Sequence, residues 1–169
     1  VSPPRQDAVA GLYLAFTVLG VDYALPVERV REAVPAAAVT WLAGGPATLR
    51  GLVEVRGTLL PVLDLGARRG RREPGAAREA CVLVVESSSE GQPLTLGLLA
   101  DAVAEVVSLG PDEVTPPPPG PTGGCVESAG RTARGPLLLL DVDCVVAASD
   151  AELAERARAR RRGAAGWLH

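Results

Sequence analysis

Gly51-Leu52-Val53-Glu54-Val55-Arg56-Gly57-Thr58-Leu59-Leu60-Pro61-Val62-Leu63-Asp64-Leu65 is the segment whose reading decides the fold. Two short apolar runs flank a single guanidinium beside a glycine, and this pattern predicts strand, tight turn, strand with Arg56 and Gly57 at the corner. A rigid corner can present an arginine to a partner, because its planar fork of donors matches a carboxylate or a backbone carbonyl. A solvated turn is the plainer reading of the same residues. Pro61 has no N–H to give to a ladder, which predicts an edge strand or a bulge. Leu59, Leu60, Val62, Leu63 and Leu65 form a nearly unbroken apolar run, as expected of a strand buried on both faces or closed into a small barrel.

Outward from this hairpin the chain reads as strands more often than helices. Val- and Leu-rich runs bounded by Gly, Pro or Ser predict strands over 12–19, 22–25, 30–34, 52–55, 58–63, 80–86, 94–99, 102–109 and 137–140. Short strands at such spacing predict small barrels. With 169 residues, 47% of them hydrophobic and 22% charged, the chain is of globular composition and one domain in length. No apolar run approaches the ~18 residues of a membrane span, so no direct membrane insertion is expected.

All 17 basic residues are arginine, the net charge is −3, and aromatic residues make up 3% of the chain. This leaves neither a phosphate-tracking surface nor a platform for stacking bases, and nucleic acid is not an expected partner. The N-terminus lacks the charged-then-apolar order of a signal peptide, which points to the cytoplasm. Cys81, Cys125 and Cys144 are odd in number and widely spaced; they suggest neither a disulfide framework nor a zinc site, and Cys81 and Cys144 are expected as buried thiols.

Catalysis finds little material. The one histidine, His169, ends the sequence, and no glycine-rich phosphate cradle is written in the chain. Asp64, Asp101 and Asp141 each follow an apolar strand, where capping or an Asx-turn explains a carboxylate more economically than general acid–base work. No catalytic residue, metal ligand or cofactor is therefore assigned.

The hairpin, with its Arg-Gly corner and its Pro61-Val62-Leu63-Asp64-Leu65 run, resembles the CheW-like adaptor family. Three further segments in the same order resemble that family: Leu14–Val34, with Val30-Arg31-Glu32-Ala33; Leu96–Val106, with Ala100-Asp101-Ala102-Val103-Ala104-Glu105-Val106; and Leu137–Val142. The resemblance implies two five-stranded SH3-like barrels packed together, with short helices and a C-terminal helix. It divides the chain into a flexible N-terminus (1–10), a domain of two intertwined barrels (11–148, boundary near 66–80) and an Arg-rich C-terminal helix or tail (149–169). It also implies a non-enzymatic scaffold joining the regulatory domain of a CheA-type histidine kinase to the cytoplasmic tip of a methyl-accepting chemoreceptor. The positions it marks for partner binding are Arg56 and Glu32 as polar rim, with Val30, Val34, Val55 and Leu65 as apolar contacts; core packing is the competing role for those four. An adaptor of the same fold in surface motility, development or gene regulation is the alternative, and a small-molecule-binding barrel a more distant one.

Several segments lie outside that pattern. Residues 66–79 carry Arg68, Arg69, Arg71, Arg72 and Arg78 against Glu73 and Glu79, and read as a solvated loop or a basic groove. Pro116–Pro121 predicts a polyproline spacer between the barrels, and Ser87–Pro93 a polar hairpin loop. A helix is expected over 150–162, capped by Ser149 or Asp150, with Glu152 and Glu155 ahead of its arginines in the order the helix dipole favours. Glu54 stands two residues before Arg56, on the same strand face, where the two can pair. Ser128 stands where the family commonly has glycine, which shifts the expected turn to Gly130.

Overall fold

The two-residue corner at Arg56-Gly57 recurs twice more among the described residues, and these three corners set the strand register. Leu19-Gly20, Arg56-Gly57 and Glu90-Gly91 all have positive φ at both positions, 48° and 76°, 51° and 80°, and 50° and 77°. This is the type I′ geometry whose twist matches that of the flanking strands. The computed structural model describes residues 10–42, 49–70, 78–117 and 125–150. In it the first corner joins β1 (Gly11–Val18) to β2 (Val21–Pro26), the second joins β5 (Leu49–Val55) to β6 (Thr58–Leu63), and the third joins β7 (Cys81–Ser89) to β8 (Gln92–Ala100). Ser87, Ser88, Gln92 and Pro93 thus belong to strands, and the expected polar loop shrinks to its two-residue tip.

The remaining strands are β3 (Val30–Pro35), β4 (Thr40–Trp41), β9 (Ala102–Leu109), β10 (Val114–Thr115), β11 (Val126–Thr132) and β12 (Gly135–Leu140). They form two six-stranded sheets, ordered β10-β11-β12-β2-β1-β9 and β3-β7-β8-β6-β5-β4. All nine expected strands are present. Three strands were not expected: β11, seven residues long and carrying Glu127, Ser128 and Arg131 among its few apolar side chains, and the two-residue β4 and β10, too short to leave a periodic trace in the sequence. The fold is mainly β, as expected, with six strands per sheet instead of five.

The sheets divide the chain differently from the expected boundary near 66–80. That segment links β6 to β7, neighbours of β8 in one sheet, whereas the chain changes sheets between β2 and β3 and again between β8 and β9. The proline-rich segment likewise joins β10 to β11 within one sheet, so it is no spacer between sheets. Its residues 118–124, like the arginine-bearing 71–77 and the helix expected over 151–162, lie outside the described residues.

Three apolar clusters follow from this interleaving. Val53, Leu60, Val62, Val82, Val84 and Leu99 fill the interior of the β3–β8 sheet, and Tyr13, Ala15, Ala24, Leu109, Leu137 and Leu139 fill that of the other. The third and largest lies between the sheets. Phe16, Val18, Tyr23 and Leu25 from one side meet Leu63, Leu83, Val85, Leu96 and Leu98 from the other, with Val142, Val145 and Val146 of helix α1 (residues 142–150) added from above. Phe16 and Tyr23, paired across β1 and β2, stack at 5.9 Å in this seam.

Local chemistry explains the departures from expectation. Helix α1 begins at 142, well before the expected 150, because Asp141 caps it: its carboxylate accepts the Cys144 N–H at 3.1 Å and its carbonyl that of Val145 at 3.2 Å. Ser149 and Asp150, the two expected caps, both lie inside the helix, and Ser149 donates back to the Val145 carbonyl at 2.9 Å. Asp64 also makes the local bond expected of it, accepting from Gly66 N–H at 2.8 Å, whereas Asp101 accepts from the distant Leu19 N–H at 2.7 Å and so ties the β8–β9 junction to the β1–β2 corner.

Pro61 does not mark an edge, since β6 lies between β5 and β8. Counting from the two-residue turn, Val55–Thr58 and Val53–Leu60 are the hydrogen-bonded pairs, so Leu52–Pro61 needs no proline N–H. On the other side, β8 joins only at Val62 and Leu63. Leu59, expected in the core, is 62% exposed on the outer face. Gly130 has no positive φ; a Cβ there would lie 2.7 Å from Leu109 Cδ1, so close approach, not a turn, requires the glycine. Cys81 is a half-buried free thiol, while Cys144, expected to be free, is bonded to Cys125.

Candidate functional site

The Arg56 corner projects beyond its sheet, with 85% of its side chain exposed. Its guanidinium reaches across to β3 and donates from Nη2 to Glu32 Oε2 at 3.1 Å. The expected pairing with Glu54 is replaced by one with Glu32, 24 residues away, because Arg56 lies in the left-handed turn beyond β5 and not on the strand face of Glu54. The alternation along β3 explains its reach. Val30, Glu32 and Val34 are half-buried and alternate with exposed Arg31, Ala33 and Pro35, and a bulge at Arg31 leaves that side chain beside Glu32.

Beneath the Glu32–Arg56 bridge lies a groove of about 400 Å³ lined by Arg31, Glu32, Val55, Arg56, Thr58, Leu60, Val84 and Thr95. Its floor is apolar, from Val55, Leu60 and Val84, and its rim is polar. Arg31 extends the rim by pairing with Glu86 on β7. The groove therefore offers an apolar strip with opposite charges alongside, suited to the side of an amphipathic segment. Among the described residues no group of three or more His, Cys, Asp or Glu side chains is placed to hold a metal ion.

Of the six positions marked in the sequence, the structure brings Glu32, Val55 and Arg56 into this groove. Val34 stands nearby on β3 and packs with Val55 against the interior of the β3–β8 sheet. Val30 and Leu65 pack against the central seam, outside the groove lining. Arg31, Thr58, Leu60, Val84 and Thr95 were not singled out in the sequence. They arrive from four different strands, and only Arg31 and Thr58, adjoining Glu32 and Gly57, stood close enough in the chain to be found by proximity.

The hairpin that carries Arg56 is fastened at its other end by Asp64. Its carboxylate is wholly buried, and Oδ2 lies 3.6 Å from Arg50 Nε at the bulge of β5. This fixes the far end of the β5–β6 hairpin whose near end carries Arg56.

The two-sheet arrangement is shared with known proteins. The model of the CheW-like domain matches residues 12–150, which is most of the chain. The chain belongs to the CheW-like domain family. Chemotaxis protein CheW of Klebsiella aerogenes is 25% identical over 155 residues, covering 91% of each chain. Chemotaxis protein CheW of Rhizobium meliloti is 27% identical over 105 residues, covering 62% of this chain and 65% of its own. The crystal structure of the scaffolding protein TtCheW from Thermoanaerobacter tengcongensis superposes with a TM-score of 0.66 at 28% identity, covering 78% of this chain and 89% of that one. As a CheW-like chain it is a non-enzymatic chemotaxis scaffold, at moderate identity to these relatives. No helix among the described residues is long and apolar enough to cross a membrane.

Proposed function

We propose that this CheW-like chain joins the regulatory domain of a CheA-type histidine kinase to the cytoplasmic tip of a methyl-accepting chemoreceptor, acting in the cytoplasm and reaching receptor arrays through its partners. The observation that carries this reading is the exposed Arg56 held over an apolar groove by Glu32. A salt-bridged arginine on a turn keeps a defined direction while leaving its remaining donors free for a carboxylate or helix-end carbonyl. The apolar strip below accepts side chains spaced i, i+3 and i+4 on a partner helix. Arg56 and Glu32 form the polar rim of this contact, and Val34 and Val55 its apolar shoulder. Val30 and Leu65 support the same surface from the seam behind it. The scaffold transmits by geometry alone: receptor and kinase are held at a fixed mutual position, and a change in the receptor alters the kinase through that position.

Calorimetric titration of the full chain with the regulatory domain of a CheA-type kinase from the same genome tests the proposal. Binding at micromolar strength or better is expected. Absence of binding to every such kinase would overturn it.

A further inference from the structure

Cys125 stands immediately before β11 and Cys144 in the first turn of α1, joined by a disulfide with their Cα atoms 5.3 Å apart. The two ends are also held together without that bond. The Asp141 N–H donates to the Cys125 carbonyl at 2.8 Å, Val126 pairs with Leu140, and the Cys144 N–H is anchored on Asp141 at 3.1 Å. The loop between the cysteines is already closed by the β11–β12 hairpin, so both sulfurs keep their places when the bond is cut, and it can re-form without unfolding. Both residues are half-buried, within reach of a small thiol. The bond also sits at a consequential place, since α1 supplies Val142, Val145 and Val146 to the seam between the sheets. Its Asp143 accepts from Ser87 Oγ at 2.7 Å and from Ser88 N–H at 3.1 Å.

We propose that Cys125 and Cys144 form a reversible thiol–disulfide site whose oxidation fastens α1 across the seam between the two sheets. The oxidant is a disulfide of the glutathione or dithiol-protein class. One cysteine thiolate attacks a sulfur of that disulfide and releases one thiolate; the second cysteine then attacks the mixed disulfide and releases the other. Two S–H bonds are exchanged for one protein S–S bond, the oxidant's S–S bond is broken, and the two protons pass to the released thiolates. Cys81 lies on β7 in no such pair and stays a thiol throughout.

The test equilibrates the full chain, from both reduced and oxidised starting material, in glutathione buffers running from fully reduced to fully oxidised. Samples are quenched in acid, alkylated and weighed. Two species are expected, with three and with one alkylated cysteine, exchanging along a single two-electron curve reached from both directions. Peptide mapping should place the lost labels on Cys125 and Cys144. The oxidised form should melt several degrees higher and protect the amides of 142–150 more strongly from hydrogen exchange. Cys81→Ser should leave the curve in place, and Cys125→Ser should abolish it. Three labels at every ratio, a bond that excess dithiothreitol cannot open in the folded protein, or a bond involving Cys81 would each overturn the proposal.

Discussion

At Arg56 a charged residue adopts a left-handed backbone conformation that asparagine or glycine takes more readily. Its side chain is almost wholly in water, so the bridge to Glu32 directs the guanidinium more than it stabilises the fold. A double-mutant cycle with Arg56→Ala and Glu32→Ala should give a coupling of about 0.2–1 kcal/mol in stability. In the same variants, receptor-dependent kinase control should fall while melting stays normal. Unchanged control in Arg56→Ala would remove that residue from the interface. Asp64 is the opposite case, because its charge has no exposure to water. Asp64→Asn keeps an oxygen for the Gly66 N–H and loses the attraction to Arg50, and should cost about 3 kcal/mol, the low end for a broken buried pair, since Arg50 retains some solvent contact. A urea midpoint equal to that of the wild type would show that the pair contributes nothing net. The sequence made the Asx-turn at Asp64 legible from its neighbours, but not Arg50 opposite it. Local bonds are written within three or four residues, whereas the partner across a bulge depends on register.

Among the elements, hairpins were the most legible because a residue-plus-glycine corner between apolar runs specifies both the turn and the pairing that follows. The charge pattern placed a helix only from 150, eight residues late, although capping at Asp141 was expected from its place after an apolar strand. Val142, Cys144, Val145 and Val146 carry the apolar character of β12 onward past Asp141 and Asp143, and the capping bonds of Asp141 separate strand from helix. Two-residue strands and the Cys125–Cys144 bond are tertiary facts with no local signal. The parallel contact of β6 with β8 is another. It brings Val62 opposite Gly97, where a Cβ would collide with Val82 Cγ1 and crowd Val62 at 3.4 Å. Gly97→Ala should therefore cost about 1–3 kcal/mol through overpacking, lowering the melting temperature while the exposed-corner variants do not. A melting curve superimposable on the wild type would mean that β7 yields at Val82 without penalty.

For the molecule as a whole, the balance of buried ionisable groups sets an alkaline limit. Burial pushes the Tyr13 hydroxyl above its ordinary pKa, and the charges of Glu127 and Glu28 push it further in the same direction. A folded-state pKa above the unfolded value of about 10 stabilises the fold fully below that pH, and the contribution is lost as pH rises through the folded value. Burial raises the Cys81 thiol likewise, with the same sign from about pH 8.5 upward. Stability measured from pH 8 to 11 should fall more steeply for the wild type than for Tyr13→Phe. Equal slopes would place the alkaline loss elsewhere. Family membership and sheet content were accessible from four ordered segments, but the routing of the chain was not. Strands β3–β8 form one continuous insertion between β2 and β9. Strand β1 emerges from the ribosome before the insertion and must wait for β9, so that Leu12 can meet Ser108 only after the entire intervening sheet has been synthesised. The inserted sheet has all its strands at hand by Ala100 and can assemble early. Birth order and assembly order then run in opposite directions, and the β1–β2 hairpin is the part of the nascent chain that most needs shielding from other sheet edges.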